Sequence, residues 1–180
     1  TKQAPTIVII GTGTSTQYNL PVYGYYNYSW SAQLYKSSEI NMSGQIDSIA
    51  FYVGNSPVNY QMNNQKVFIG HTSATTYGNA QPDTTTMTVA FSGSMTFSGT
   101  GWHKIKLQNT FFYNGTSNLV IYWTNRDGSY TSGYPSWRYT PTTDYLGAYI
   151  YSNTYNLVFP VSVGTSTYNR PNLRLAFITT

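Results

Sequence analysis

The sequence predicts an all-β fold, a two-sheet antiparallel β-sandwich of jelly-roll type. Three observations carry this. Helical signals are almost missing, and only Ser37-Ser38-Glu39-Ile40 offers a single turn. Elsewhere apolar residues recur with period two, the pattern of strands that bury alternate side chains. Each run is short and closed by Gly, Asn, Pro or Ser, which reads as strand then turn. At 180 residues the chain has the length of one domain with its own core.

Taken in order, residues 1–5, ending at Pro5, read as a linker, and 6–180 as one sandwich module. Ile49, Phe51 and Val53 alternate with Ser48, Ala50 and Tyr52. Val67 and Ile69 alternate with Lys66 and Phe68. Val89 with Phe91 and Met95 with Phe97 make two further pairs. Ile105 and Leu107 alternate with Lys104 and Lys106, and Leu119, Ile121 and Trp123 with Val120 and Tyr122. Leu173, Leu175 and Phe177, set between Arg174 and Ala176, close the series. Strands of this kind bury one face each, so two sheets must stack. A closed barrel is the other architecture that such strands build. Two segments lack clean alternation, Tyr18 to Trp30 and Asn125 to Thr143. Both are rich in Tyr, Trp, Gly and Pro and read as loops and edge strands, where binding residues usually sit.

Composition narrows the function. Nineteen residues are Tyr, against nine Lys/Arg and five Asp/Glu, and there is no Cys. A Tyr ring has an apolar face, a hydroxyl and little rotamer freedom to lose. Many such rings on a nearly uncharged surface suit flat, neutral, hydroxyl-rich ligands, of which sugars are the obvious class. Cysteine's absence excludes a disulfide scaffold and any thiolate metal site. The net charge is +4, but the basic residues are scattered, with Lys104 and Lys106 the one close pair on a strand face. Phosphate tracking needs a dense positive stripe, so nucleic acid is not the expected partner. No apolar run approaches the ~18–20 residues of a transmembrane helix. The chain starts at Thr with no signal-peptide pattern and reads as a mature product or a piece of a longer protein.

The order of motifs carries a resemblance. Gly11-Thr12-Gly13-Thr14 is followed by Tyr23-Gly24-Tyr25-Tyr26-Asn27-Tyr28-Ser29, then Tyr35 before Ser38-Glu39-Ile40, then Gly44-Gln45-Ile46-Asp47-Ser48-Ile49-Ala50-Phe51-Tyr52. Later come Gly101-Trp102, Phe112-Tyr113-Asn114-Gly115, Asn118-Leu119-Val120-Ile121, Arg138-Tyr139-Thr140 and Arg170-Pro171-Asn172-Leu173. This order resembles the jelly-roll modules of large proteins secreted by Bacteroidetes-like bacteria, often through the type IX system. It is also similar to the cleaved-adhesin domains of gingipains and haemagglutinins and to carbohydrate-binding modules. The resemblance implies an extracellular, non-catalytic β-sandwich attached to enzymes or adhesins. That family often has Arg between two small polar residues before the Tyr35 strand. Here the triplet is Ser29-Trp30-Ser31, which puts that Arg's role in doubt and opens a sugar-stacking role for Trp30.

The candidate ligand-binding residues are Tyr25, Tyr26, Tyr28, Trp30, Asn125, Asp127, Tyr130, Tyr134, Trp137 and Arg138. Trp102 and Trp123 read as core. Trp30 lies among Ser, Tyr and Asn, and Trp137 follows Tyr134-Pro135-Ser136, so both read as exposed. A pyranose packs its axial C–H face on an aromatic ring and leaves its equatorial hydroxyls to Asn, Asp, Arg and Tyr. The other reading is a Tyr-rich surface whose rings only cover loops. Asn125, Arg126, Asp127 and Arg138 either read hydroxyl positions or stabilise a loop through an Asp–Arg pair and an Asx-turn at Asp127-Gly128. A glycosidase needs two carboxylates about 5–9.5 Å apart. Asp127 with Asp144 is the sole pair in the region. His71 continues the Val67/Ile69 parity and reads as a hydrogen-bonded core histidine. No cofactor is expected; a structural calcium ion on loop carbonyls and one Asp would leave no sequence trace.

The expected function is that of a non-catalytic, monomeric module, secreted or at the cell surface. It would hold a parent enzyme on a polysaccharide, with a β-linked plant glucan or hemicellulose the expected kind. The alternative is an adhesin or spacer module that meets cell-surface protein or glycan.

Overall fold

A computed structural model describes residues 3–178. Residues 1–2 of the linker and 179–180 of the module lie outside the described residues. Thirteen strands form among those described: β1 (Thr6–Ile10), β2 (Thr16–Gln17), β3 (Tyr28–Tyr35), β4 (Gly44–Val53), β5 (Tyr60–Thr72), β6 (Thr88–Phe97), β7 (Gly101–Tyr113), β8 (Asn118–Asn125), β9 (Trp137–Pro141), β10 (Gly147–Ser152), β11 (Thr165–Thr167), β12 (Asn169–Pro171) and β13 (Leu173–Ile178). The α-helical turn falls where the sequence placed it, α1 (Ser37–Ile40). It is closed by the Lys36 N–H donating to Glu39 Oε1 at 3.0 Å and by Asn41 in the left-handed region.

The strands build two antiparallel sheets. One runs β1-β13-β4-β9-β12, with β7 also on β4 and β2 on β9. The other runs β11-β10-β3-β8-β5-β6. The chain crosses repeatedly between them: β3 lies in the second sheet, β4 in the first, β5 and β6 in the second, β7 in the first, β8 in the second. That winding is what a jelly roll needs. Between the sheets, Phe51, Val53, Ile105, Leu175 and Phe177 of the first meet Val67, Ile69, Phe97, Ile121 and Trp123 of the second. Trp123 is fully buried, as its parity predicts.

The second sheet is buried on its outer face as well. Trp30, Ala32 and Leu34 on β3, Val120 and Tyr122 on β8, and Ala148 on β10 form a second apolar cluster. Leu146, Val158 and Phe159 cover it. This layer corrects the expectation for Trp30, which is 1% exposed. Residues 154–164 fold over it, and its Nε1–H donates to Ser162 Oγ at 2.8 Å. Trp137 is also corrected. It is fully buried, packs edge-on against Phe97 with centroids 5.6 Å apart, and donates its Nε1–H to the Val22 carbonyl at 3.0 Å. A full-sized indole with a satisfied N–H gains more from burial than from solvent.

Two further residues depart from expectation. Trp102 is half-buried on the outer face of the first sheet, edge-on to Tyr52 at 5.3 Å, with Arg174 over its ring at 5.3 Å. His71 is exposed rather than in the core. Its ring stacks on Tyr113 at 5.7 Å, and its Nε2 accepts the Asn114 N–H at 3.1 Å.

The Ser38-Glu39-Ile40 and Arg170-Pro171 motifs meet in space. Arg170, 4% exposed, donates to both Glu39 carboxylate oxygens at 2.8 and 2.6 Å and to the Leu34 carbonyl at 3.0 Å. Its guanidinium lies 4.6 Å over the Tyr35 ring, whose hydroxyl donates to the Pro171 carbonyl. A bidentate pair of this kind fixes α1 against β3 and β12. These motif residues are framework.

Candidate functional site

Eight tyrosines form one connected aromatic surface. Tyr18, Tyr23, Tyr25 and Tyr26 come from the segment between β2 and β3, Tyr130 and Tyr134 from the loop between β8 and β9, and Tyr149 and Tyr151 from β10. Tyr25 lies 5.1 Å from Tyr130 and 5.2 Å from Tyr134, which joins the two loops. Tyr26 and Tyr23 lie 4.3 and 4.8 Å from Tyr151, which joins both to the sheet. Tyr149 stacks parallel to Tyr151 at 6.0 Å, and Tyr18 meets Tyr134 at 5.3 Å. Many of these contacts are tilted or edge-on, the geometry ring quadrupoles favour. Tyr18, Tyr25, Tyr130 and Tyr151 remain 37–45% exposed, so the cluster presents ring surface to solvent.

Buried polar groups hold the two loops together. The Tyr60 hydroxyl donates to the Gly24 carbonyl at 2.5 Å and accepts the Thr131 N–H at 3.4 Å. Asn55 Nδ2 donates to the Tyr134 carbonyl at 2.9 Å while its Oδ1 accepts the Ser136 N–H. At Gly24 the backbone runs so close to the facing loop that a Cβ would sit 2.8 Å from Tyr134 Cβ. Only glycine allows that approach. Trp137 pins the Val22 carbonyl, one residue before Tyr23, and Ser31 Oγ donates to the Pro21 carbonyl.

Asn125 belongs to this support. It is fully buried, which corrects its placement among ligand contacts. Its Nδ2 donates to the Tyr26 carbonyl at 3.1 Å. Its Oδ1 accepts from Gln65 Nε2 at 2.7 Å and from the Asp127 N–H at 3.1 Å. Gln65 Oε1 in turn accepts the Trp123 indole N–H. Such fully paired polar networks fix a loop's path.

The remaining candidates scatter. Tyr28 meets Tyr155 edge-on at 5.3 Å, beside Arg126, which lies 4.2 Å over Phe159. Asp127 accepts the Asn63 N–H at 3.0 Å, and burial pushes its carboxyl above the ordinary value. Arg138 lies over Tyr52 on the first sheet at 4.0 Å, and neither it nor Arg126 forms an ion pair with Asp127, so the loop-stabilising Asp–Arg alternative is not realised. Asp144 pairs with Lys36 at 3.6 Å, just past the end of β3, whereas Asp127 follows Asn125, the partner of Ser29 at its start. Seven residues of strand separate those ends, roughly 23 Å at ~3.3 Å per residue. Asp127 and Asp144 therefore lack the spacing of a glycosidase pair. Among the described residues no three His, Cys, Asp or Glu side chains gather where they would hold a metal.

The tyrosine surface is uncharged in its chemistry. Burial, reinforced by Tyr134, Tyr26, Tyr151 and Tyr18, pushes the Tyr23 hydroxyl up to about 12, and burial also raises Tyr26 and Tyr134. At neutral pH these hydroxyls keep their protons and serve as donors and acceptors. A groove of about 480 Å³ lined by Asn55, Tyr60, Gln61, Thr131 and Ser132 runs beside the loop that carries Tyr130 and Tyr134. The sequence marked both loop segments, but its candidate ligand contacts leave out Tyr18 and Tyr23 of the first segment and Tyr149 and Tyr151 of β10. The alternation of Tyr149 with Tyr151 on one strand face was the available signal.

No family model matches this chain and no curated protein matches it, so the resemblance to adhesin modules rests on motif order alone. Among solved structures it is similar to that of the cysteine protease and lectin-like domains of Cwp84, a surface layer associated protein of Clostridium difficile. The TM-score is 0.47 with 13% identity, over 86% of this chain and 32% of that one.

Proposed function

We propose that this chain is a non-catalytic carbohydrate-binding module whose ligand face is the joined tyrosine surface. Tyr25, Tyr130, Tyr18 and Tyr151 are its exposed stacking rings. The observation that carries this reading is the meeting of three chain segments to expose several neutral rings at one place. Isolated exposed rings are ordinary; a contiguous patch rimmed by polar loops is a recognition surface. Neutral rings and protonated hydroxyls match a pyranose, which offers C–H faces and hydroxyls. The ligand class is a neutral polysaccharide, with a β-linked glucan or hemicellulose first to try. The module would act outside the cell as a monomer appended to a parent protein. Weak single sites would gain strength there through avidity.

Affinity electrophoresis through gels containing a panel of neutral polysaccharides tests this. Retardation by at least one glycan is expected, and Tyr25→Ala with Tyr130→Ala should weaken it. Each ring contributes about 0.5–1.5 kcal/mol, or roughly 2–12-fold in affinity. The two side chains are 41% and 42% exposed and touch neighbouring rings, so the melting temperature should fall by only a few degrees, at ~2–4 °C per kcal/mol. No retardation on any glycan, with selective capture of a surface protein, would favour the adhesin reading instead.

A further inference from the structure

A second groove lies over β5 and β8, on the outer face of the second sheet. It measures about 680 Å³, with Phe68 and Tyr122 on its floor and Pro160 and Val161 on its rim. A smaller hollow of about 290 Å³ continues past it, and Lys66 and Arg126 line both. Their positions follow from the strand register. Lys66 on β5 is paired with Thr124 on β8, and Arg126 follows two residues later, on the same side.

Neither cation has a carboxylate within salt-bridge reach among the described residues, where the ion pairs are Lys36–Asp144, Lys106–Asp47 and Arg170–Glu39. Arg126 is nonetheless held in place, 4.2 Å over Phe159, with one N–H donating to the Tyr155 hydroxyl at 3.2 Å. That leaves the rest of its fork of donors for a ligand. Asp83, the one acid in the groove, is engaged by the Thr85 N–H and hydroxyl at 3.0 and 2.8 Å. Beneath the floor, Thr124 is 2% exposed, and its hydroxyl has no hydrogen-bond partner among the described residues. Buried hydroxyls are normally paired, so an orphan beside two unpaired cations marks a place for an acceptor.

We infer that this groove binds an anionic sugar unit through its carboxylate, a hexuronate in a polysaccharide chain. Arg126 would take the carboxylate, Lys66 would add a point charge, and the half-buried Phe68 ring would meet the sugar's C–H face. This site goes beyond the tyrosine surface and uses none of its residues.

The test is retardation in gels of polygalacturonate, of its fully methyl-esterified form and of a sulfated glucan, at low and moderate salt. The expected result is retention by polygalacturonate that falls at least 10-fold in Lys66→Met and in Arg126→Gln. Lys104→Met, an equal loss of charge on the opposite sheet, should leave it unchanged. The ester should be retained no better by the wild type than by Lys66→Met. Stronger retention by the sulfated glucan, lost in the same two variants, would keep the site and change the anion from carboxylate to sulfate. Arg126→Gln can disturb the Phe159 contact, so its melting temperature is measured alongside; Lys66→Met, exposed and unpaired, decides if it falls. Equal losses in Lys104→Met and Lys66→Met would reduce the effect to net charge and overturn the proposal. Retention lost in Tyr25→Ala but kept in Lys66→Met would overturn it too and would assign acidic glycans to the tyrosine surface. Retention by neutral glycans lost only in the tyrosine variants concerns the other site and is read separately.

Discussion

Trp137→Phe separates a buried pin from a stacking ring. In the native protein the indole is fully buried, edge-on to Phe97 and Phe51, and its N–H satisfies the Val22 carbonyl. Phenylalanine keeps an aromatic ring but has no donor. An orphaned buried carbonyl costs about 1–3 kcal/mol. The lost ring atoms add roughly 1–2 kcal/mol at ~0.8 kcal/mol per buried methylene-sized group. The sum of about 2–5 kcal/mol corresponds to roughly 4–20 °C in a domain of this size, at ~2–4 °C per kcal/mol. Differential scanning calorimetry reads the shift, and near-UV circular dichroism reads the aromatic environment. Because Val22 precedes Tyr23, the tyrosine loop should loosen, so glycan retention should fall together with stability. An unchanged melting temperature with lost retention would refute the reasoning. That outcome would mean the ring meets ligand and the Val22 hydrogen bond is not made.

Gly24→Ala should separate the two loops, because its Cβ meets Tyr134 Cβ at 2.8 Å. Glycan retention should drop more than for Tyr25→Ala, with a lower melting temperature, and a variant indistinguishable from wild type would deny the close approach. Burial opposes ionisation of Glu39, but hydrogen bonds from Arg170 and the Lys36 backbone outweigh it and hold the carboxyl below its ordinary value. Such a group contributes stability above the unfolded value near 4.5 and loses it as pH falls through the folded one. The wild type should therefore lose melting temperature more steeply than Glu39→Gln between pH 5 and acid. Parallel curves would show the pair to be electrostatically idle. His103 works in the opposite sense of charge. Burial beside Phe97, 4.4 Å away, lowers it to about 4, so between its ordinary 6.5 and 4 the unfolded chain binds the extra proton. Stability should fall as pH drops through that window, and His103→Leu should flatten the fall, as thermal melts at stepped pH would report.

What the sequence made legible depended on how far period two could be trusted. Leu119, Ile121 and Trp123 face the inter-sheet core, as the alternation required. The same rule was available at Trp30, which alternates with Ala32 and Leu34 against Ser29, Ser31 and Gln33. Its polar neighbours obscured that pattern, because polar residues are buried here too. Ser31 and Gln33 are fully buried and bonded to each other at 2.6 Å, so hydrophobicity no longer labels the inner face. The covering layer over Trp30 comes from residues more than a hundred positions away, which no local pattern announces. Trp137 and Asn125 failed for a related reason. Each carries an N–H donor whose partner is a carbonyl in a loop distant in sequence, at Val22 and Tyr26. Clustering was the better guide than side-chain type. The runs Tyr23 to Tyr26 and Tyr130 to Tyr134 do meet, and Tyr60, Asn55, Asn125 and Trp137 hold them there. Trp30, Trp123 and Trp137, with satisfied N–H groups, stiffen the frame together with buried tyrosines such as Tyr35 and Tyr60, and the loop tyrosines Tyr18, Tyr25 and Tyr130 are left to face solvent. A ligand surface built this way changes when its frame changes, so loss of binding is evidence of contact only in variants that keep their melting temperature.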